Sequence, residues 1–74
     1  MDSQGDFLRL LGRRITELRQ KRQMTIENLA SASGLDPGEL ASIEGGRIDI
    51  PITTIFHLAG AFGLSPDQFL DFLP

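Results

Sequence analysis

The 74-residue chain contains no cysteine, tryptophan or tyrosine. Without thiols it can form neither a disulfide nor a thiolate metal site. A domain this small, expected to bury only about 60% of the surface its unfolded chain exposes, must then rely on helix packing or on a partner subunit. No apolar run approaches the roughly 20 residues needed to span a bilayer, and the N-terminal "MDSQGDF" lacks the basic and apolar regions of a signal peptide. These absences lead to the expectation of a soluble, cytoplasmic protein. Positive charge is scarce as well: the net charge is −3, against the basic footprint usual for a non-specific nucleic-acid binder. The average hides an asymmetry. Residues 1–22 hold six of the seven basic side chains against three acids, whereas residues 23–74 hold Arg47 alone against seven.

What is present is a series of helix signals. Phe7, Leu11, Ile15 and Leu18 recur at the spacing of one helix face, with arginines opposite, and predict an amphipathic helix from about Phe7 to Arg22. Glu17 stands four residues before Lys21, the favourable orientation for a helical ion pair. In "MTIENLASASG", Thr25 is placed to cap a second helix, with Asn28 at the capping-box position, Leu29 and Ala30 turned inward and Gly34 at the C-terminal stop. Asp36 as cap, Pro37 at the first helical position and Glu39 three residues after the cap, where it is expected to complete a capping box, start a third helix, with Leu40 and Ile43 buried and Gly45-Gly46 ending it. Asp49 and Pro51 mark the start of a fourth, whose inward face is expected to be Ile52, Ile55, Phe56, Ala59 and Phe62 and whose end is Gly63. "SPDQ" at 65–68 repeats the start signature before "FLDFLP". No strand alternation, internal repeat or low-complexity stretch interrupts the series.

Two short helices joined by a glycine-containing turn form a helix-turn-helix. Ala30 is small where the two helices cross, Gly34 makes the turn and Leu35 folds back inside. In "LGRRITELRQKRQMTIENLASASGL", "LASIEGGR" and "ITTIFHLAGAFGLSPDQFL" the chain resembles the Cro and phage-repressor type of helix-turn-helix, the XRE family. The resemblance implies an all-α, compact five-helix, lambda-repressor-like DNA-binding domain. It would occupy residues 1–74 as a single domain, with the motif over about 25–45 and a C-terminal helix over about 66–73. It also implies a transcriptional regulator, repressor or activator, that binds a palindromic operator in double-stranded DNA as a homodimer, and a structural ion pair between Arg19 and Glu44.

The same resemblance places the base-reading positions at Pro37, Gly38 and Ser42, with Glu39 among them, and a phosphate-contacting basic residue at Arg47. Ile26 stands where relatives carry a phosphate-gripping polar side chain, and Gly45 where they often carry a basic residue or an amide. Lys21 and Arg22 lie beside the start of the second helix, within reach of the DNA backbone, and helix N-termini at Thr25 and Pro37 add N–H groups. The expected DNA-binding set is therefore Lys21, Arg22, Thr25, Gly38, Glu39, Ser42 and Arg47. Proline and glycine read no base edge, whereas Glu39 is able to accept from a cytosine amino group. Arg9, Arg13 and Arg14 read as a solvated helix face. His57 stands alone, without the companions a metal site needs. Asp67 and Asp71 read as surface charge rather than a catalytic pair. The expectation is a protein that is no enzyme and has no cofactor or metal.

"QFLDFLP" carries more apolar surface than one short helix can bury. Phe69 and Leu70 are expected to face the core, leaving Phe72 and Leu73 as an exposed patch and candidate dimer interface. Against the regulator stands a second reading, a helix-turn-helix scaffold used as a protein-interaction module with weak or no DNA binding and a protein partner, suggested by the missing basic chemistry of "DPGEL". A third is an antitoxin- or controller-like protein that binds DNA only beside a partner supplying the basic surface.

Overall fold

The computed structural model describes residues 3–73, with side chains from Gly5 onward; residues 1, 2 and 74 of the expected domain lie outside the described residues. Its elements are α1 (Ser3–Lys21), α2 (Ile26–Ser33), α3 (Pro37–Glu44), α4 (Ile52–Ala61) and α5 (Pro66–Phe69), and no strand occurs among the described residues. The all-α, five-helix expectation holds. α1 begins four residues earlier than the apolar stripe indicates. α5 is shorter than expected: after Phe69 the chain continues as turn through Phe72.

The caps form where the side-chain chemistry places them. Thr25 Oγ1 accepts from the Asn28 N–H at 2.9 Å while Asn28 Oδ1 accepts from the Thr25 N–H at 3.1 Å, a closed capping box. Ser65 and Gln68 close the equivalent box on α5. Gly34 ends α2 at φ 76°, a left-handed conformation that costs glycine nothing sterically. Gln23 adopts φ 56° after α1 without being a glycine, at a cost of about 1–2 kcal/mol. The turn it makes is held from two sides, by the Met24 N–H donating to Arg19 O at 3.0 Å and by Arg19 Nη1 donating to Met24 O at 2.9 Å.

One core serves all five helices. Leu11 and Ile15 of α1, Leu29 of α2, Leu40 of α3, Leu58 of α4 and Phe69 of α5 are each at most 1% exposed. Phe62 and Phe69 pack ring against ring, 6.2 Å between centroids and tilted by 31°, within the favourable range for aromatic pairs.

Four expectations are corrected. The inward face of α4 is Ile55, Leu58, Ala59 and Phe62, together with Thr54; Ile52 and Phe56 point outward at 66% and 50% exposure. The helix carries two apolar stripes, and periodicity alone does not say which one the core takes. Arg14 is not part of a solvated face. Its Nε donates to Phe69 O at 3.1 Å and its Nη2 to Gln68 O at 2.9 Å, so α1 supplies side-chain donors to the carbonyls at the end of α5. The Glu17–Lys21 pair does not close; the intrahelical ion pair among the described residues joins Asp6 and Arg9. At the C-terminal end, Phe72 packs against the core and is only half-exposed, as is Leu70, so of the expected interface residues Leu73 carries the larger exposed surface, 42% of its own.

Candidate nucleic-acid interface

The candidate interface is the α2–turn–α3 unit, and its placement starts with a glycine on α1. Gly12 is buried, and a Cβ there would lie 2.4 Å from Glu44 O and 2.7 Å from Ile43 O. The backbone of α1 therefore rests directly on the C-terminal end of α3. Thr16 and Arg19, four and seven residues further along the same face, then reach Glu44. Arg19 Nε donates to Glu44 Oε2 at 2.8 Å, Arg19 Nη2 to Oε1 at 3.1 Å and Thr16 Oγ1 to Oε1 at 2.9 Å. Both charged side chains are largely removed from water, 15% and 8% exposed. The expected Arg19–Glu44 pair is thus a bidentate bond with a hydroxyl donor completing the carboxylate, and the Met24 carbonyl occupies a further guanidinium donor.

This lock turns the opposite face of α3 outward. Pro37, Gly38, Glu39 and Ala41 are exposed and Ser42 is half-buried. Asp36 Oδ2 accepts from the Gly38 N–H at 2.9 Å and the Glu39 N–H at 3.1 Å, so a side chain already occupies the amides at this helix start. The Glu39 side chain does not fold back on Asp36 as a capping box would require, and its carboxylate has no hydrogen-bond or ion-pair partner among the described residues.

The exposed basic residues of the expected DNA-binding set lie before α2 and after α3 in the chain. Lys21 is exposed as the last residue of α1, with no ion pair among the described residues. Arg22, also exposed, lies over the Phe62 ring at 5.3 Å from its centroid, a cation–π contact that ties it to the end of α4. Thr25 is exposed but engages its hydroxyl in the α2 cap. Arg47 is exposed beyond α3 and lies against its last turn, where a Cβ on Gly45 would come within 3.3 Å of Arg47 Nε. A cation there also meets the negative end of the α3 dipole. The structure thus brings Arg19 and Glu44 together, leaves Lys21, Gly38, Glu39 and Arg47 at the surface, and engages Arg22 and Thr25 in contacts of their own. Sequence reasoning missed Gly12, Thr16 and Arg14. Gly12 had a readable signal, since a glycine inside an amphipathic helix costs about 1 kcal/mol against alanine and so calls for a packing reason.

Comparison with known proteins agrees with this geometry. A family model described as a helix-turn-helix domain matches residues 12–71. The chain is 33% identical over 60 residues to the uncharacterized HTH-type transcriptional regulator y4dJ of Sinorhizobium fredii, covering 81% of this chain and 78% of that protein. Among solved structures, the restriction-modification controller protein C.AhdI from Aeromonas hydrophila is similar with a TM-score of 0.83 and 31% identity, over 88% of this chain and 98% of that one. The clp gene regulator ClgR from Corynebacterium glutamicum is similar with a TM-score of 0.81 and 28% identity, over 86% of this chain and 68% of that one.

Proposed function

This chain belongs to the helix-turn-helix domain family and is a DNA-binding transcriptional regulator, and we propose that it acts as a homodimer on a palindromic operator, one half-site per subunit. The observation that carries the reading is the lock between α1 and α3, which fixes a helix with an exposed outer face, with exposed basic residues before α2 and after α3 in the chain. Lys21, Arg22 and Arg47 contact phosphates, Thr25 opens the helix whose start faces the backbone, and Gly38 and Ser42 lie along the groove floor. Phosphate contacts set position and affinity; they carry no sequence information by themselves. The role is one of binding, without catalysis or a cofactor, and is carried out in the cytoplasm; no helix among the described residues is long and apolar enough to cross a membrane.

A single motif reads about one half-site, and two-fold protein symmetry mirrors operator symmetry. Exposed apolar side chains available for the two-fold contact include Ile52 and Phe56, one turn apart on α4, and, at the C-terminal end, Leu73 with the half-buried Phe72.

Fluorescence anisotropy against duplex DNA, titrated from low to high salt, tests the assignment. Affinity is expected to fall with salt along a slope that reports several phosphate contacts. Arg47→Ala is expected to weaken binding to all sequences about equally and to lower that slope by about 1. A loss confined to particular sequences contradicts a phosphate role for Arg47. A folded protein that binds no duplex at low salt contradicts DNA binding itself and favours the protein-interaction module.

A further inference from the structure

The outer face of α3 has an unusual chemistry for a helix that reads bases. Of its exposed side chains, Pro37, Gly38 and Ala41 offer no hydrogen-bonding group, and Ser42 is short and half-buried. Neither lysine, arginine, asparagine nor glutamine occurs anywhere in 34–46. That leaves Glu39 as the only side chain on this face with both the length and a polar end to reach a base edge.

Its state in the folded protein is the second observation. In α2 and α5 the residue three places after the cap, Asn28 or Gln68, folds back and accepts from the cap residue's own N–H. Glu39 holds the corresponding place in α3 and does not do this. Asp36 alone occupies the Gly38 and Glu39 amides, and the Glu39 carboxylate extends from an exposed residue with no hydrogen-bond or ion-pair partner among the described residues. The third observation is where α3 is fastened. Gly12, Thr16 and Arg19 all grip its C-terminal end at Glu44, so its N-terminal turn, the part of a recognition helix that contacts base edges, is the part left outward.

We propose that Glu39 is the specificity-determining residue of this protein and that its carboxylate accepts a hydrogen bond from the N4 amino group of a cytosine in the major groove. The assignment rests on the DNA-binding reading above. A carboxylate only accepts, which sorts the four bases by their groove edges. Guanine presents two acceptors, N7 and O6, and repels it. Thymine presents an acceptor and a methyl group. Adenine offers its N6 donor, but with the N7 acceptor beside it. In the duplex the cytosine donor has an acceptor on one side only, the O6 of its paired guanine, whereas the adenine donor lies between its own N7 and the thymine O4. The same negative charge is repelled by the flanking phosphates on every sequence, so Glu39 lowers affinity for duplexes that do not repay it with a cytosine.

The test is an operator selected from a random duplex pool with the wild-type protein, followed by affinities for single base-pair replacements with the wild type and with Glu39→Gln. A third set carries N4-methylcytosine, whose methyl group replaces the amino hydrogen that faces the groove. The substituted side chain is exposed and its carboxylate makes no contact to lose; unchanged helical circular dichroism and melting temperature confirm the fold. The expected result is one position per half-site where the wild type prefers cytosine on the order of 10-fold, a preference abolished by N4-methylcytosine. Glu39→Gln is expected to lose that preference, to move toward adenine, whose N6 and N7 suit an amide, and to bind random duplex at least as tightly as the wild type. A wild type that binds and selects an operator, but whose base preferences Glu39→Gln leaves unchanged or which tolerates N4-methylcytosine at every position, overturns the assignment of Glu39 alone. A wild type that retains no duplex at low salt overturns both this assignment and the DNA-binding reading beneath it.

Discussion

Glu44→Ala is expected to destabilise the domain by about 3–5 kcal/mol, the cost of removing one partner of a buried ion pair. The substitution leaves the Arg19 guanidinium, 15% exposed, without the carboxylate that takes two of its donors, and leaves the Thr16 hydroxyl with the Gly12 carbonyl only. Domains of this kind are stable by about 5–15 kcal/mol in total, so the loss is a large share of the whole. For a domain of this size each kcal/mol shifts the melting temperature by about 4–8 °C, which places the expected drop on the order of 12–40 °C. Thermal unfolding followed by circular dichroism measures it. A drop of only a few degrees would show the pair to behave as a solvent-exposed salt bridge, worth about 0–1 kcal/mol. DNA binding should fall with it even below the melting transition, because the pair sets the angle at which α3 is held.

Gly12→Ala should destabilise even though alanine is the better helix former by about 0.8–1.0 kcal/mol. The added Cβ meets backbone atoms, Glu44 O at 2.4 Å and Ile43 O at 2.7 Å, and backbone cannot swing aside as a flexible side chain would. α1 and α3 must separate, and overpacking of this sort costs about 1–3 kcal/mol, occasionally more. Separation also lengthens the Arg19–Glu44 and Thr16–Glu44 bonds, so the strain and the loss of the lock add in the same direction. Gly60→Ala is the matched comparison: the residue is exposed within α4, and a Cβ there meets nothing within 4 Å. It should raise stability by up to about 1 kcal/mol. Opposite signs for the two substitutions in chemical denaturation are the expected outcome. Equal, favourable effects would mean that α1 does not rest on α3 at Gly12.

The local features of this fold were legible because each is decided by residues close together in sequence. Thr25 with Asn28, Ser65 with Gln68, and Gly34 at its left-handed position all carry their reasons within a few residues, and each forms as read. What was not legible depends on the approach of distant segments. Arg14 looks like solvated charge until the end of α5, more than fifty residues away in the chain, arrives with the Gln68 and Phe69 carbonyls. Ile52 and Phe56 look as apolar as Ile55 and Leu58, and only the packing of α4 against the other helices decides which pair is covered. The ion pair was a different case: composition and spacing did not supply it, and the family resemblance did, at Arg19 and Glu44. Within the candidate site, Asp36 was read correctly as a cap, whereas Glu39 was read as finishing a capping box that does not close. A Glu39 engaged in such a box would have nothing to offer a base.

An acidic α3 is compatible with a polyanion because most of its carboxylates are engaged within the fold. Asp36 is engaged by the cap and Glu44 by Arg19, which leaves Glu39 as the uncommitted carboxylate of α3 among the described residues. We propose that DNA lies across the α2–turn–α3 face, with Lys21 and Arg47 on its phosphates. Amide chemical-shift mapping of the isotope-labelled protein titrated with duplex DNA at low salt tests it most directly. The expected result is perturbation concentrated in residues 21–26 and 36–47, declining as salt is raised. A spectrum unchanged at those residues, whether silent throughout or shifting only elsewhere, would contradict it.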